Sequence, residues 1–213
     1  MTQALTPHTT IVPGNVGESL FEDRKSQFFG FALHASSVEE LAEFRHRVME
    51  RIPTASHYVS ACFIADGSEF FSDAKEPHGS AGMPVLNAIK GRDLRDVGCV
   101  VARVFGGTLL GKGGLIRAYT KAASDALDAA SLCRVEPCKL IVVTIPYRLY
   151  EPLSARLANW GANVDDTAFA DKVTLNVSAP SADVDELLVK IRDFSDARAT
   201  CSIGAEEMRA LLL

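Results

Sequence analysis

The chain has 213 residues, 47% of them hydrophobic and 23% charged, a composition that suits a globular protein of one sizeable domain or two small ones. No apolar run approaches bilayer-spanning length, and the opening MTQALTPHTT has neither the basic start nor the apolar stretch of a secretory signal, so a cytoplasmic protein without membrane association is expected. A net charge of -5 argues against a general nucleic-acid coat.

Residues 1–24 are polar, with Pro13, Gly14 and Gly17, and are expected to form a loose arm or an edge strand. The aromatic-rich residues 26–34 read as a strand. Ser37-Val38-Glu39-Glu40 is a capping box. It opens a helix whose buried stripe is Val38, Leu41, Phe44, Val48 and Ile52, closed by Pro53. Residues 57–65 and 69–71 read as a hairpin around Asp66-Gly67-Ser68. A short helix over 83–89, starting near Pro84, precedes a strand over 97–104 and a long helix from Leu115 to about Ala130.

The pattern changes after Ser131. Residues 134–137 read as a short linker, followed by a strand (139–145), a helix (150–160), two strands (162–170 and 172–179), a helix (182–194) and a strand (199–203). This βαββαβ order is the ferredoxin-like unit, two helices on one face of a four-stranded antiparallel sheet. In its third strand Val173, Leu175 and Val177 point inward and Thr174, Asn176 and Ser178 outward. That small polar outer face lacks the aromatics of an RNA-recognition motif, so protein–protein or intramolecular docking is expected there rather than base stacking.

Five cysteines, Cys62, Cys99, Cys133, Cys138 and Cys201, form no Cys-x-x-Cys pair and are read as reduced, structural thiols; no metal and no cofactor are expected. Charge is unevenly placed. Between Lys90 and Lys121 stand seven basic residues, Lys90, Arg92, Arg95, Arg103, Lys112, Arg117 and Lys121, against the two acids Asp93 and Asp96. A local patch of this kind decides where an anionic partner lands, although a solvated face reads the same way.

The richest stretch is residues 70–121. Gly106-Gly107 and Gly111-Lys112-Gly113-Gly114 bracket Leu109-Leu110 and run into the long helix. Glycine permits tight turns and close backbone approach, and a helix start offers free N–H groups, so these glycines with Arg103, Lys112, Arg117 and Lys121 form a candidate anion site. Simple chain reversal is the competing reading, and no Gly-Lys-Ser/Thr P-loop is present. Asp73 and Glu76 are read as site-shaping acids, bonding the N–H groups of the Gly79–Gly82 turn or pairing with Arg103. His57, His78 and Ser80 are further candidates: Asp73, Glu76 and the two histidines are metal-ligand types, and a Ser80–His57–Asp73 relay can be written, though without a nucleophile elbow.

The same residues carry a resemblance. Lys25-Ser26-Gln27-Phe28, Ala55-Ser56-His57, Phe71-Ser72-Asp73 with Glu76-Pro77 and Gly79-Ser80-Ala81-Gly82-Met83-Pro84, Phe105-Gly106-Gly107, and Leu110 to Tyr119 resemble, in order and spacing, the Impact/YigZ family. The family's usual second acid after Asp73 and its usual Thr and Tyr around Arg103 are replaced here by Ala74, Ala102 and Val104. The resemblance implies an α+β chain. A ribosomal-protein-S5 second-domain-like fold, a sheet backed by two main helices, would occupy residues 1–133, and a ferredoxin-like domain residues 138–213. It also implies a non-enzymatic factor in translation regulation that binds RNA, the ribosome or a ribosome-associated protein, since the eukaryotic relative restrains an amino-acid-starvation kinase by competing for its activator. The alternative is an enzyme or sensor for a small phosphorylated metabolite, with the helix start after Lys112 as cradle and Asp73 or Glu76 as acid–base group.

Overall fold

The computed structural model describes residues 6–212, the side chain of Leu212 excepted. The chain divides into two compact units. One runs to Val135 and takes in the last residues from Ala210, and the other is Glu136–Arg209.

In the first unit, β1 (His8–Ile11) and β2 (Val16–Asp23) occupy the segment expected to be a loose arm or edge strand. They are followed by β3 (Ser26–His34), α1 (Val38–Arg51), β4 (His57–Phe63), β5 (Glu69–Ser72), α2 (Gly82–Lys90), β6 (Val97–Val104) and α3 (Gly111–Asp128). The strands form an antiparallel sheet in the order β2-β3-β6-β4-β5, with β2 at one edge. Strand alternation sorts the side chains onto two faces. Phe28 and Ala32 of β3, Val59, Ala61 and Phe63 of β4, and Val97, Cys99 and Val101 of β6 pack on α2 and α3. Phe31, Leu33, Cys62, Val100 and Ala102 meet Leu41, Phe44 and Val48 of α1 on the other face. Each such apolar side chain contributes roughly 1.5–3 kcal/mol when fully buried. Ser37 caps α1, its Oγ accepting from the Glu40 N–H at 3.2 Å, while the Glu40 carboxylate accepts from the Ser36 backbone N–H at 2.7 Å.

The two-residue turn between β2 and β3 consists of Arg24 and Lys25, both left-handed (φ 47° and 67°). That is the geometry of a tight hairpin turn usually filled by Asn and Gly. α3 starts four residues earlier than the apolar stripe predicts, so the second glycine cluster forms its first turn instead of a loop before it.

The second unit completes the βαββαβ order. It contains β7 (Leu132–Ile145) from Glu136 onward, a single 3-10 turn (Tyr147–Leu149), α4 (Tyr150–Asn159), β8 (Asn163–Phe169), β9 (Val173–Pro180), α5 (Val184–Phe194) and β10 (Thr200–Leu212) as far as Arg209. Its sheet order is β10-β7-β9-β8, the ferredoxin-like arrangement. Val143, Leu175 and Val177 meet Leu153 and Leu157 of α4 and Leu187 and Ile191 of α5 in the core. Residues 134–137, expected as a linker, are strand, and β10 continues well past 203. The first residues of β7 pair with β1 inside the first unit.

Candidate functional site

The antiparallel register sets Arg103 of β6 between Phe28 of β3 and His57 of β4, one row across the end of the sheet on the α2–α3 face. Arg103 is only 5% exposed. Its Nη1 donates to Glu76 Oε1 at 2.7 Å, and the Tyr119 hydroxyl, reaching from α3, donates to the same oxygen at 2.8 Å. His57 donates from Nδ1 to the Ala74 carbonyl at 2.9 Å and turns Nε2 toward Glu76 at 3.8 Å. The guanidinium lies over the rings of Phe28 (5.5 Å) and Phe105 (5.4 Å), and Phe28 meets Tyr119 edge-on. Burial, then the charge of Glu76, push the Tyr119 phenol far above its ordinary value, so it remains a neutral donor. Arg103 Nε is buried with no acceptor among the described residues.

Asp73 has a separate task. Its carboxylate accepts from the backbone N–H groups of Gly79 (2.8 Å), Ala81 (3.1 Å) and Gly82 (2.8 Å). The N-terminus of α2 has no side-chain cap of its own, so Asp73 supplies one from across the loop. Burial alone would raise its pKa, but the three donors outweigh it and hold Asp73 below the usual carboxylate range. Ser80 is fully buried and donates to the Pro77 carbonyl at 2.6 Å, while the His78 side chain is in solvent, 3.8 Å from Asp73. The Ser80–His57–Asp73 relay is therefore not assembled. Among the described residues no three His, Cys, Asp or Glu side chains gather as a metal site requires. Burial raises the thiols of Cys62 to about 11 and Cys99 to about 12, which keeps them protonated.

Above this cluster runs the glycine loop. The Gly106 N–H donates to Ser26 Oγ at 3.1 Å, and a Cβ at this position would fall 2.1 Å from the Lys25 carbonyl carbon, so only glycine lets the loop lie on the β2–β3 turn. Arg24 Nη1 donates to the Leu109 carbonyl at 3.3 Å from the same turn. Gly107 and Gly111 take positive φ, Gly114 packs against Leu110, and Gly113 is open, with only the Arg117 guanidinium 3.9 Å from where its Cβ would stand. Leu110, at the N-cap of α3, makes no side-chain cap bond.

The seven basic residues of 90–121 do not form one face. Lys90 pairs with Glu69, Arg92 with Asp128 (2.6 Å) and Lys121 with Asp125 (2.7 Å), Arg95 covers the Phe63 ring at 4.1 Å, and Arg103 is internal. Lys112 and Arg117 are left exposed at the helix start, joined by Arg24 and Lys25, which sequence reading missed. The signal for those two would have been a hairpin turn, and Arg-Lys carries none of the usual turn residues. Phe105, 45% exposed, precedes the glycine loop, and Leu109, 80% exposed, lies within it.

Residues 24–127 match the Impact N-terminal domain, and residues 143–198 match a domain of unknown function (DUF1949). The chain is similar to the protein described as "IMPACT family member YigZ" of Escherichia coli (strain K12), 32% identical over 178 residues, which cover 82% of this chain and 87% of that protein. It is also similar to "IMPACT family member YvyE" of Bacillus subtilis (strain 168), 37% identical over 57% of each chain. A solved structure described as "Crystal structure of an hypothetical protein" matches with a TM-score of 0.58 and 29% identity, covering 94% of this chain and 99% of that one.

Proposed function

The chain belongs to the Impact family, and from that premise we propose that its first unit binds single-stranded RNA across the glycine loop, as a non-enzymatic factor in translation regulation. The observation that carries this reading is the exposed Phe105 ring at the start of a glycine loop that rests on the Arg24–Lys25 turn and runs into the helix start bearing Lys112 and Arg117; none of these four cations makes an ion pair among the described residues. Single-strand binders combine these two parts, a basic track for phosphates and an aromatic platform for a base, with stacking worth about 1–3 kcal/mol per base. The buried Arg103–Glu76–Tyr119 cluster serves as the support that fixes Phe105 from below. The uncapped helix start adds N–H donors for a phosphate.

The same helix start favours a second reading, a small phosphorylated metabolite. The acid–base group that reading needs has little to draw on: both Asp73 oxygens hold backbone N–H groups and Glu76 is buried in its ion pair. Fluorescence anisotropy with a labelled single-stranded RNA should give binding that Phe105→Ala weakens at least about fivefold, the lower end of one lost stack. Affinity unchanged by Phe105→Ala, with a thermal shift from sugar phosphates that Lys112→Gln with Arg117→Gln abolishes, would favour the metabolite. Retention from lysate with and without ribonuclease separates an RNA partner from a ribosome-associated protein.

A further inference from the structure

A second concavity, of about 370 Å³, opens beside the start of β4 and shares no lining residue with the glycine loop. Its walls include Arg45, His46 and Met49 from α1, His57 and Tyr58 from β4, and Lys75 from the loop after β5. Its volume falls within the range of small-molecule sites, about 300–1,000 Å³. We propose that this pocket binds a small organic phosphate monoester, the phosphate held by Arg45 and Lys75 and the organic part resting on Met49 and Tyr58.

Charge comes first in the argument. No carboxylate lines the pocket, and neither Arg45 nor Lys75 makes an ion pair among the described residues. Arg45 Nε is buried and meets no acceptor among the described residues. Two permanent positive charges match a dianion, and the planar donor fork of arginine matches phosphate oxygens. The apolar part follows. Met49 is 39% exposed, and the Tyr58 hydroxyl is committed to the Ile52 carbonyl at 2.6 Å, which leaves the ring as the surface a ligand meets.

Lys75 is also held in place. It and Ala74 are both left-handed, with φ of 71° and 48°. This strained pair is fixed on one side by His57 Nδ1 donating to the Ala74 carbonyl and on the other by the Asp73 cap of α2. Strain maintained by such surroundings fixes the backbone from which the lysine side chain extends toward the pocket.

Calorimetric titration of the full chain with phenyl phosphate and with adenosine 5′-monophosphate tests the proposal, with benzoate as the singly charged comparison. Both phosphates should bind saturably, and benzoate more weakly. Arg45→Gln with Lys75→Gln should weaken the phosphates about tenfold or more, and Arg45→Lys, which keeps the charge but not the fork, by less. Melting curves of each variant establish that the fold is kept, and the milder Arg45→Lys serves if the double variant unfolds. No binding at millimolar probe, benzoate binding as tightly as phenyl phosphate, or loss of binding in Lys112→Gln with Arg117→Gln instead would overturn it.

Discussion

Arg103 and Glu76 form a buried ion pair to which Tyr119 adds a third polar group. Removing the arginine strands a carboxylate in the interior, so Arg103→Ala should destabilise the protein by about 3–5 kcal/mol. Tyr119→Phe removes one donor to a charged acceptor and should cost about 1.5–3 kcal/mol. Denaturant melts of the two variants check both the size and the order. Asp73 gives a pH-dependent prediction. Its folded pKa is depressed, so its stabilising contribution is present above the ordinary aspartate pKa of about 3.9 and is lost as pH falls through the lower folded value. Asp73→Asn should therefore be less stable than the wild type at neutral pH, with the difference shrinking on acidification through that window. That Asp73 and Glu76 would bond the glycine turn or pair with Arg103 could be read from the sequence, while which acid does which is left open by it. The burial of Arg103 could not, since it depends on β6 being a central strand and on which of its faces meets α3.

At the level of elements, the same glycines had to be read as loop or helix. Glycine costs about 0.8–1.0 kcal/mol in a helix relative to alanine, which is why the sequence places the start of α3 at Leu115, yet the helix winds through Gly111–Gly114. Gly113 has negative φ and open space around it. Gly113→Ala should thus raise stability by up to about 1 kcal/mol, while Gly106→Ala, which drives a methyl into the Lys25 backbone, should cost about 1–3 kcal/mol or more. Melting temperatures of the pair distinguish a glycine kept for packing from one that packing does not require. The misread linker has a similar origin. Pro137 cannot donate to a ladder and lies between the stretch of β7 paired with β1, ending at Val135, and the stretch paired with β9, starting at Cys138, so a change of partner strand resembles a break in structure. The ferredoxin-like order was legible because apolar residues alternate along Val173, Leu175 and Val177, although Ser178, expected to face outward, is buried and donates to Asp165 at 3.1 Å.

Across the whole molecule, the two units have cores built from separate residues, Phe28, Val101 and Tyr119 among those of the first and Val143, Leu157 and Leu175 among those of the second. A chain ending at Pro137 keeps every β1 partner but loses the residues of the first unit from Ala210; it should still be soluble and melt cooperatively, while one ending at Cys133 also loses the partners of His8 and Thr9 and should melt lower. Aggregation of both would count against independent cores. No helix is long and apolar enough to cross a membrane among the described residues. The central claim, RNA binding through Arg24, Lys25, Lys112 and Arg117, is tested most directly by the salt dependence of affinity. Each phosphate neutralised on a single strand contributes about -0.7 to the slope of log K against log salt, so four contacts give a slope of about -3. Lys112→Gln with Arg117→Gln should make it shallower by about 1.4. A wild type that binds no RNA at low salt, or a slope that the double variant leaves unchanged, would contradict the account.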